Sequence, residues 1–471
     1  MKSRKLIQFI QSCDTDELVE FEKFLASPFY NEDPEVRQLF KILRPHYPDF
    51  SGAGLNKHAI YRAVYGDQAY NDKRLRYLFS DLTKLIETFF AVQKIRSQPH
   101  QLQLALLDSL SGRGLPKGFR RVNRQLKREL EDGGQRSSDV FFTKMQWSEI
   151  RERHFQKKRI RKFDLSLQHF ANDLDQYYFL NRLKIVCAML DRQTIFQDEY
   201  DLNISSGWLQ HLEQNQFYGS VLIQIYYTIF QALRDESEES HFTALVTFLR
   251  QPGLSVADID LRDIYLFAIN YCARKIRQGK EKYVAEALQL YRDGIEKGPL
   301  LNERGISPWA FTNVVKLALR RQEYHWIGSF IHRYAPLLPE QFRENALHYN
   351  LAELYYYTDR FDQAQEHLIR VEFSDLNYYL GARVLLAKIY YESGEEEALL
   401  SLISSFTVFL KRNKELSANL KRTYLNFCQI LFQIVRRAPS QMKKLQASID
   451  NSELLTDRAW LQKIYSEAMG K

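Results

Sequence analysis

Residues that interrupt helices are scarce in this sequence. Its 471 residues include only 19 glycines and 12 prolines. These are the two residues that most often end a helix or a strand and open a turn. The few glycines and prolines lie between long amphipathic segments. The sequence therefore predicts helices along the whole chain. A strand-rich scaffold, of the kind that holds a nucleophile elbow, is disfavoured.

Long apolar runs are also missing. No run reaches the roughly 18 residues that a membrane-spanning helix needs. The chain begins MKSRKLIQFIQSCDTDEL, and its apolar stretch LIQFI has five residues. The apolar core of a signal peptide has about 7–15 residues. We therefore predict neither membrane insertion nor a signal peptide.

Cysteine is rare, and its spacing fits no disulfide or metal motif. The four cysteines are Cys13, Cys187, Cys272 and Cys428. They lie far apart, they form no CxxC pair, and each falls in an apolar helical pattern. We interpret them as buried free thiols in a reducing cytoplasm.

Aromatic residues, by contrast, are abundant. They make up 14% of the chain, with 28 Tyr and 31 Phe, and hydrophobic residues reach 45%. This composition predicts a folded protein with many large side chains wedged between packed helices. The length is too great for one compact core, which indicates several domains or an extended array.

Residues 1–95 are predicted to form a bundle of short helices. The first clear helix start is DTDE at 14–17, a variant of the capping box. In this arrangement Asp14 accepts from N–H groups of the first turn and Glu17 reaches back toward the preceding backbone. The helix that follows has one apolar face, so it is expected to pack within the bundle.

A basic helix at 71–93 offers an alternative to a purely structural role. With the helix predicted at 56–66 it could form a helix-turn-helix, whose second helix would present basic residues to a DNA groove. These residues are Lys73, Arg74 and Arg76. The connection YGDQAYND is longer than the usual three or four residues, which favours an ordinary helical hairpin.

Residues 96–200 are predicted to be a basic helical segment. The wider stretch 51–200 carries 27 lysines and arginines against 17 acidic residues, a net charge of +10. Its densest run, at 147–163, contains Arg151, Arg153, Lys157, Lys158, Arg159, Arg161 and Lys162. One interpretation is a solvated helix face. The other is a binding face for nucleic acid or an acidic protein, with steep salt dependence.

The remainder of the chain, 201–471, repeats a two-helix pattern. LAELYYYTDRFDQAQEHL at 351–368 is followed 35 residues later by LAKIYYESGEEEALLSLI. Helical hairpins are predicted at 216–250, 262–297, 308–335, 343–372 and 378–411, with further helices near 416–437 and 453–469. A hairpin of this size cannot bury its own apolar face, so neighbouring hairpins are expected to stack.

The first of these two copies resembles a tetratricopeptide repeat. In that family small residues on both helices permit close packing, and aromatic residues wedge between the helices. The matching residues are Ala352, Tyr355, Phe361 and Ala364, and in the next copy Ala387, Tyr390 and Gly394. The resemblance implies an α-solenoid over 201–471, closed by C-terminal capping helices.

The resemblance also implies where a partner would bind. In tetratricopeptide stacks the first helices line the concave side, and the positions expected there are Lys316, Arg320, Tyr349, Glu353, Tyr356, Tyr357, Lys388 and Tyr391. Aromatic anchors with a few charges suit a peptide or a helix. Tyr349 and Glu353 replace two members of the family's clamp for terminal carboxylates, which disfavours binding of chaperone tails.

Two other stretches are similar to a family of uncharacterised bacterial helical proteins. They are YNDKRLRYLFSDLTKLIETFF and DLDQYYFLNRLKIVCAMLDRQ. This resemblance implies a bacterial cytoplasmic protein and carries no activity with it.

Motifs for catalysis and metal binding are missing. The sequence contains no HExxH, no GxxxxGK[ST] and no GxSxG. His325 and His332 lie seven residues apart without a carboxylate or thiol partner nearby, so we interpret them as packing residues. We predict a protein that is not an enzyme and that uses no cofactor and no metal.

The sequence thus predicts an all-α protein with an N-terminal helical bundle, a basic middle segment and a tetratricopeptide-like solenoid. The leading hypothesis for its function is a cytoplasmic scaffold that binds a protein or peptide on its concave surface. The alternative is a nucleic-acid-binding regulator that uses the helices at 71–93 and 147–163. The identity of the partner, the oligomeric state and any catalytic site assembled from residues distant in sequence do not follow from the sequence.

Overall fold

The computed structural model of the chain is almost entirely helical. It describes residues 4–50, 55–132, 137–158, 163–193, 200–253, 256–302, 305–372, 376–414, 416–436 and 439–470. Within these ranges the chain forms 23 α-helices, a few short 3-10 turns and one pair of two-residue strands. The prediction of an all-α fold is confirmed.

The chain divides into two compact units. One comprises Met1–Gly134 and Asp139–Tyr177, and the other comprises Gln135–Ser138 and Tyr178–Lys471. The division into three segments made from the sequence stays a prediction.

Nine of the described helices begin before residue 178. They are α1 (Arg4–Gln11), α2 (Thr15–Ala26), α3 (Pro34–Leu43), α4 (Lys57–Tyr65), α5 (Asp72–Arg96), α6 (Pro99–Gly112), α7 (Pro116–Asp132), α8 (Ser138–Lys157) and α9 (Ser166–Gln193). Helices α1, α2, α3 and α4 all pack on α5. The face of α5 that meets them is apolar at spacings of three and four, and its buried residues are Leu75, Leu78, Phe79, Leu82, Ile86 and Phe89.

Helix starts in this unit follow the side-chain chemistry of the sequence. The predicted capping box is confirmed at α2: the Glu17 N–H donates to the Asp14 carboxylate at 2.8 Å, and the Asp14 N–H donates to the Glu17 carboxylate at 3.0 Å. Asn71 caps α5 in a similar way by accepting from the backbone N–H of Arg74 at 3.0 Å.

The second unit contains the remaining helices. They are α10 (Ser206–Gln214), α11 (Val221–Arg234), α12 (Glu239–Arg250), α13 (Asp258–Arg277), α14 (Lys282–Glu296), α15 (Pro308–Arg320), α16 (Tyr324–Tyr334), α17 (Glu340–Tyr356), α18 (Phe361–Ile369), α19 (Leu376–Glu392), α20 (Glu396–Arg412), α21 (Ala418–Arg436), α22 (Pro439–Asn451) and α23 (Arg458–Gly470). The strands are β1 (Leu301–Asn302) and β2 (Gly305–Ile306), which pair antiparallel between α14 and α15.

Consecutive helices of the second unit pair as antiparallel hairpins, and their first helices also meet. Helix α11 packs on α12, α13 on α14, α17 on α18 and α19 on α20. In addition α15 packs on α17, and α17 packs on α19. Tyr349 contacts Tyr378, and Tyr356, seven residues later, hydrogen-bonds Glu392. Helices α17 and α19 therefore run side by side in the same direction.

The four cysteines are buried free thiols, as predicted. Burial raises the pKa of Cys13 to about 11 and that of Cys428 to about 12. Such thiols are poor nucleophiles near neutral pH. Across the part of the chain that the structure describes, none of the helices has the length and apolar character needed to cross a membrane.

Candidate functional site

A groove with a volume of about 950 Å³ opens in the second unit. Its walls come from α15, α17, α19 and α21, together with the turn at 456–457 that precedes α23. We refer to it as the α15–α21 groove. Three of these helices are the first members of consecutive hairpins, so the groove follows from the way the first helices pack on one another.

The end of the groove near the N-termini of α15, α17 and α19 is aromatic. Trp309 stands there with 69% of its surface exposed. Tyr378 is buried, and its hydroxyl lies 3.0 Å from the Thr312 hydroxyl, which ties α19 to α15. The Tyr349 ring packs against Tyr378 with centroids 5.6 Å apart. A large apolar side chain of a partner could pack against the aromatic rings at this end of the groove.

Gly381 allows the Tyr349 ring to approach α19 closely. A Cβ at this position would lie 2.9 Å from both Cε2 and the hydroxyl oxygen of Tyr349, which is closer than side chains pack. Glycine is therefore required by the close approach of the ring rather than by backbone conformation.

The opposite end of the groove carries charged groups. The buried ammonium group of Lys388 lies 3.0 Å from the Asp457 carboxylate. It also lies over the rings of Tyr356, at 4.8 Å, and Trp460, at 5.7 Å. The carboxylate and the two rings together compensate for the desolvation of the ammonium group.

Glu353 is the second carboxylate of the charged end. It is half-buried on α17 and accepts a hydrogen bond from the Tyr349 hydroxyl at 2.6 Å. Among the residues that the structure describes, no Lys, Arg or His lies within 4.0 Å of it. Burial, and secondarily the Glu353 charge, raise the pKa of Tyr349 well above its ordinary value, so Tyr349 stays a hydrogen-bond donor at neutral pH.

Two further tyrosines face the charged end. Tyr357 is 47% exposed; partial burial is the main cause that raises its pKa, the Lys388 charge lowers the pKa, and the charges of Glu353 and Asp457 raise it. Tyr424 is half-buried on α21, and burial followed by the Asp457 charge raises its pKa. Both rings thus lie near carboxylates.

On the α15 wall, two basic residues stand one turn apart. Arg320 is ion-paired with Glu281, and both side chains are well exposed. Lys316 is exposed and lines the groove. Within the described part of the chain no carboxylate lies within 4.0 Å of its ammonium group.

The structure brings most of the residues predicted for the concave surface together. Lys316, Arg320, Tyr349, Glu353, Tyr357 and Lys388 all line the α15–α21 groove.

Tyr356 and Tyr391 are not among the lining residues. Tyr356 is buried, and its hydroxyl donates to Glu392 at 2.5 Å. The Tyr391 ring packs edge-on against Trp460 with centroids 5.6 Å apart. In the structure these two tyrosines hold helices together.

Other residues that line the groove were not predicted from the sequence. Trp309 and Thr312 continue the spacing that leads to Lys316 and Arg320 along α15, so a helical wheel of that helix could have found them. Asp457 lies in a turn outside the helices, so no helical spacing pattern could have predicted it. Its backbone has a φ of +48°, a conformation that few residues other than glycine, asparagine and aspartate adopt.

The basic residues of α5 make contacts within their own unit. The Arg74 guanidinium pairs with Glu35 and lies 3.8 Å from the centroid of the Tyr65 ring. Arg76 pairs with Asp72 at 3.1 Å, and Lys73 lies over the Tyr77 ring at 5.9 Å. The Arg74 guanidinium is therefore engaged by Glu35 and Tyr65 of its own unit.

The second basic run is only partly described. Arg151 lies over the Trp147 ring at 4.6 Å, and Arg153 lies 3.5 Å from Asp108. Lys157 and Lys158 are exposed at the end of α8. The remaining predicted residues, Arg159, Arg161 and Lys162, lie outside the described residues. Binding of nucleic acid or an acidic partner by either basic run stays a prediction.

In comparisons with known proteins, no family model, no curated protein and no solved structure matches the chain.

Proposed function

We propose that the protein is a non-enzymatic scaffold that binds an extended peptide segment of another protein in the α15–α21 groove. The observation that carries the proposal is the groove itself, in which exposed aromatic residues and a few charged groups line one continuous surface. Interface hot spots have the same composition of aromatic residues with a small number of charges.

We also propose that the helical hairpins from α11 onward form a tetratricopeptide-like solenoid. The packing of α15 on α17 and of α17 on α19 supports this arrangement. So does the complete burial of Ala352 and Ala364, the small residues of the best-matching repeat. In a stack of this kind the first helices form a continuous wall, which suits an elongated ligand.

The length of the groove favours a peptide segment as its occupant. Pro308 and Arg320, the first and last residues of α15, both line it. With a rise of 1.5 Å per residue, they lie about 18 Å apart along the helix axis. An extended chain advances about 3.3 Å per residue, so five or six residues would cover this distance.

The proposal is tested by truncating two exposed aromatic residues of the groove. Trp309→Ala/Tyr357→Ala should fold normally because neither side chain is buried: Trp309 is 69% exposed and Tyr357 is 47% exposed. Tyr200→Ala/Phe432→Ala is the matched control, since these rings are 43% and 41% exposed and do not line the groove. Each protein would be immobilised and exposed to a lysate of cells that naturally produce it.

The expected result is a set of proteins that wild type and control retain and the groove variant loses. Peptides from those proteins should then bind wild type in solution, measured by fluorescence anisotropy, and bind the groove variant at least tenfold more weakly. Identical retention by all three proteins would contradict the proposal.

A further inference from the structure

The charges in the α15–α21 groove are unevenly compensated. Lys388 is paired with Asp457, and Arg320 is paired with Glu281. Glu353 is different, because among the described residues it accepts a hydrogen bond from the neutral hydroxyl of Tyr349 at 2.6 Å. Within the described residues, Glu353 is thus a groove carboxylate without a cation at ion-pair distance.

Because Glu353 is partly buried, its carboxylate should contribute more to partner recognition than the exposed ammonium group of Lys316. Glu353 is half-buried, whereas Lys316, the groove's corresponding cation, is exposed. An exposed charge gains little from a partner because water already solvates it. A partly desolvated carboxylate gains more from a charge-assisted hydrogen bond, and two donors can satisfy both of its oxygens.

The surroundings of Glu353 suit a guanidinium group. The Tyr357 ring is 47% exposed and lines the groove near Glu353 and Asp457, and Tyr424 lines it near Asp457. A planar cation stacks favourably on tyrosine faces. The chain makes such contacts elsewhere: the Arg360 guanidinium lies 4.5 Å from the centroid of the Tyr355 ring. Lys388 also lines this part of the groove, and its ammonium group is paired with the Asp457 carboxylate at 3.0 Å.

We infer that the peptide segment bound in the groove carries a basic side chain, with arginine preferred over lysine, that contacts Glu353 and the tyrosine rings beside it. An apolar side chain of the same segment would then occupy the aromatic end near Trp309. This inference rests on the proposed function, because it specifies the peptide that the groove accepts.

The experiment is a selection from a phage library of random dodecapeptides on the full-length protein. Phage that also bind Trp309→Ala/Tyr357→Ala are removed, so that the survivors depend on the groove. We expect the survivors to be enriched in arginine, and less strongly in lysine, beside a large apolar residue.

One selected peptide is then used in a double-mutant cycle. Glu353→Gln removes the charge and keeps an oxygen that can accept from the Tyr349 hydroxyl. It should weaken binding of the arginine peptide about tenfold and leave its Arg-to-Ala version unaffected. Glu340→Gln is the control, because Glu340 is an exposed carboxylate on the same helix that does not line the groove.

The outcomes separate this inference from the proposed function. Groove-dependent peptides without basic residues, or an arginine peptide that binds Glu353→Gln as tightly as wild type, would overturn the inference alone. A selection that yields no groove-dependent peptide from the library would count against the proposed function itself.

Discussion

At the scale of single residues, the groove depends on a small residue that lets a large one approach. Gly381 lies in the interior of α19, where glycine usually weakens a helix. The Tyr349 ring occupies the space that a side chain would take, and its hydroxyl is held by Glu353. The sequence marks Tyr349 as a groove residue, but it does not show what the ring packs against, because that contact joins two helices.

Gly381→Ala should therefore destabilise the protein by about 1–3 kcal/mol, the usual cost of overpacking. The added Cβ would lie 2.9 Å from Cε2 and from the hydroxyl oxygen of the buried Tyr349 side chain, which must move. Gly328→Ala on α16 is the matched control: its Cβ would meet Leu354 Cδ2 at 3.8 Å, an ordinary contact. Alanine has the higher helix propensity, so the control should be neutral or slightly stabilised. Urea denaturation followed by circular dichroism measures both, and equal stabilities would refute the packing argument.

At the scale of helices, amphipathic spacing and breakers were sufficient to locate most elements. The helix predicted at 71–93 is α5, Asp72–Arg96, and the hairpin predicted at 308–335 is α15 with α16. Helix α22, Pro439–Asn451, was not predicted although a proline begins it, and the strand pair was not predicted either. Two-residue strands have no periodicity to detect.

Helices α17 and α18 are joined by a histidine pair that the sequence did not reveal. The Nδ1 atoms of His348 and His367 lie 2.8 Å apart, so one ring donates and the other accepts. Burial is the main cause that lowers both pKa values below the ordinary 6.5, and for His367 the neighbouring His348 is the second cause. The Glu344 charge raises the pKa of His348 and the Arg370 charge lowers it, whereas for His367 Arg370 and His332 lower the pKa and Glu366 raises it.

This pair should make stability depend on pH. Because the folded-state pKa values are lowered, the unfolded chain binds more protons as pH falls through about 6.5. The contribution of the neutral histidine pair to the free energy of unfolding is therefore complete above that pH. It declines as the pH falls further, until the histidines of the folded state are protonated too. The urea midpoint should fall between about pH 7.5 and 5.5, and His367→Asn, which cannot ionise, should reduce the decline. His325→Asn, an exposed histidine on α16, should leave the decline unchanged; the same slope in His367→Asn would exclude the pair as its source.

At the scale of the whole molecule, most, but not all, of the residues predicted from the repeat pattern line the groove. The spacing along α15, α17 and α19 led to six residues that do line the groove. It failed to separate Tyr356 from Tyr357, because successive residues on a helix point about 100° apart and neighbouring helices decide which side is covered. Asp457 reaches Lys388 from 69 positions away in sequence, and no local pattern reports such a contact.

The pair formed by Lys388 and Asp457 supports a last prediction, on how the C-terminal turn stabilises the groove. Asp457→Asn keeps a residue that tolerates the positive φ of +48°, so it changes charge with little backbone effect. It leaves the buried Lys388 ammonium without its carboxylate at 3.0 Å and should cost about 1–3 kcal/mol. Lys388→Met should cost less, because the remaining Asp457 is partly exposed to water.

The double variant Lys388→Met/Asp457→Asn should recover most of the stability that Asp457→Asn loses, since it buries no unpaired charge. Urea denaturation of the four proteins gives the coupling between the two residues.

The single variant Asp457→Asn has a second consequence, because an uncompensated ammonium group of Lys388 would then face the groove. Asp457→Asn should weaken an arginine-bearing peptide more than its alanine version, and the double variant should remove that difference. Additive losses of stability in the two single variants would mean that the pair contributes nothing as a pair.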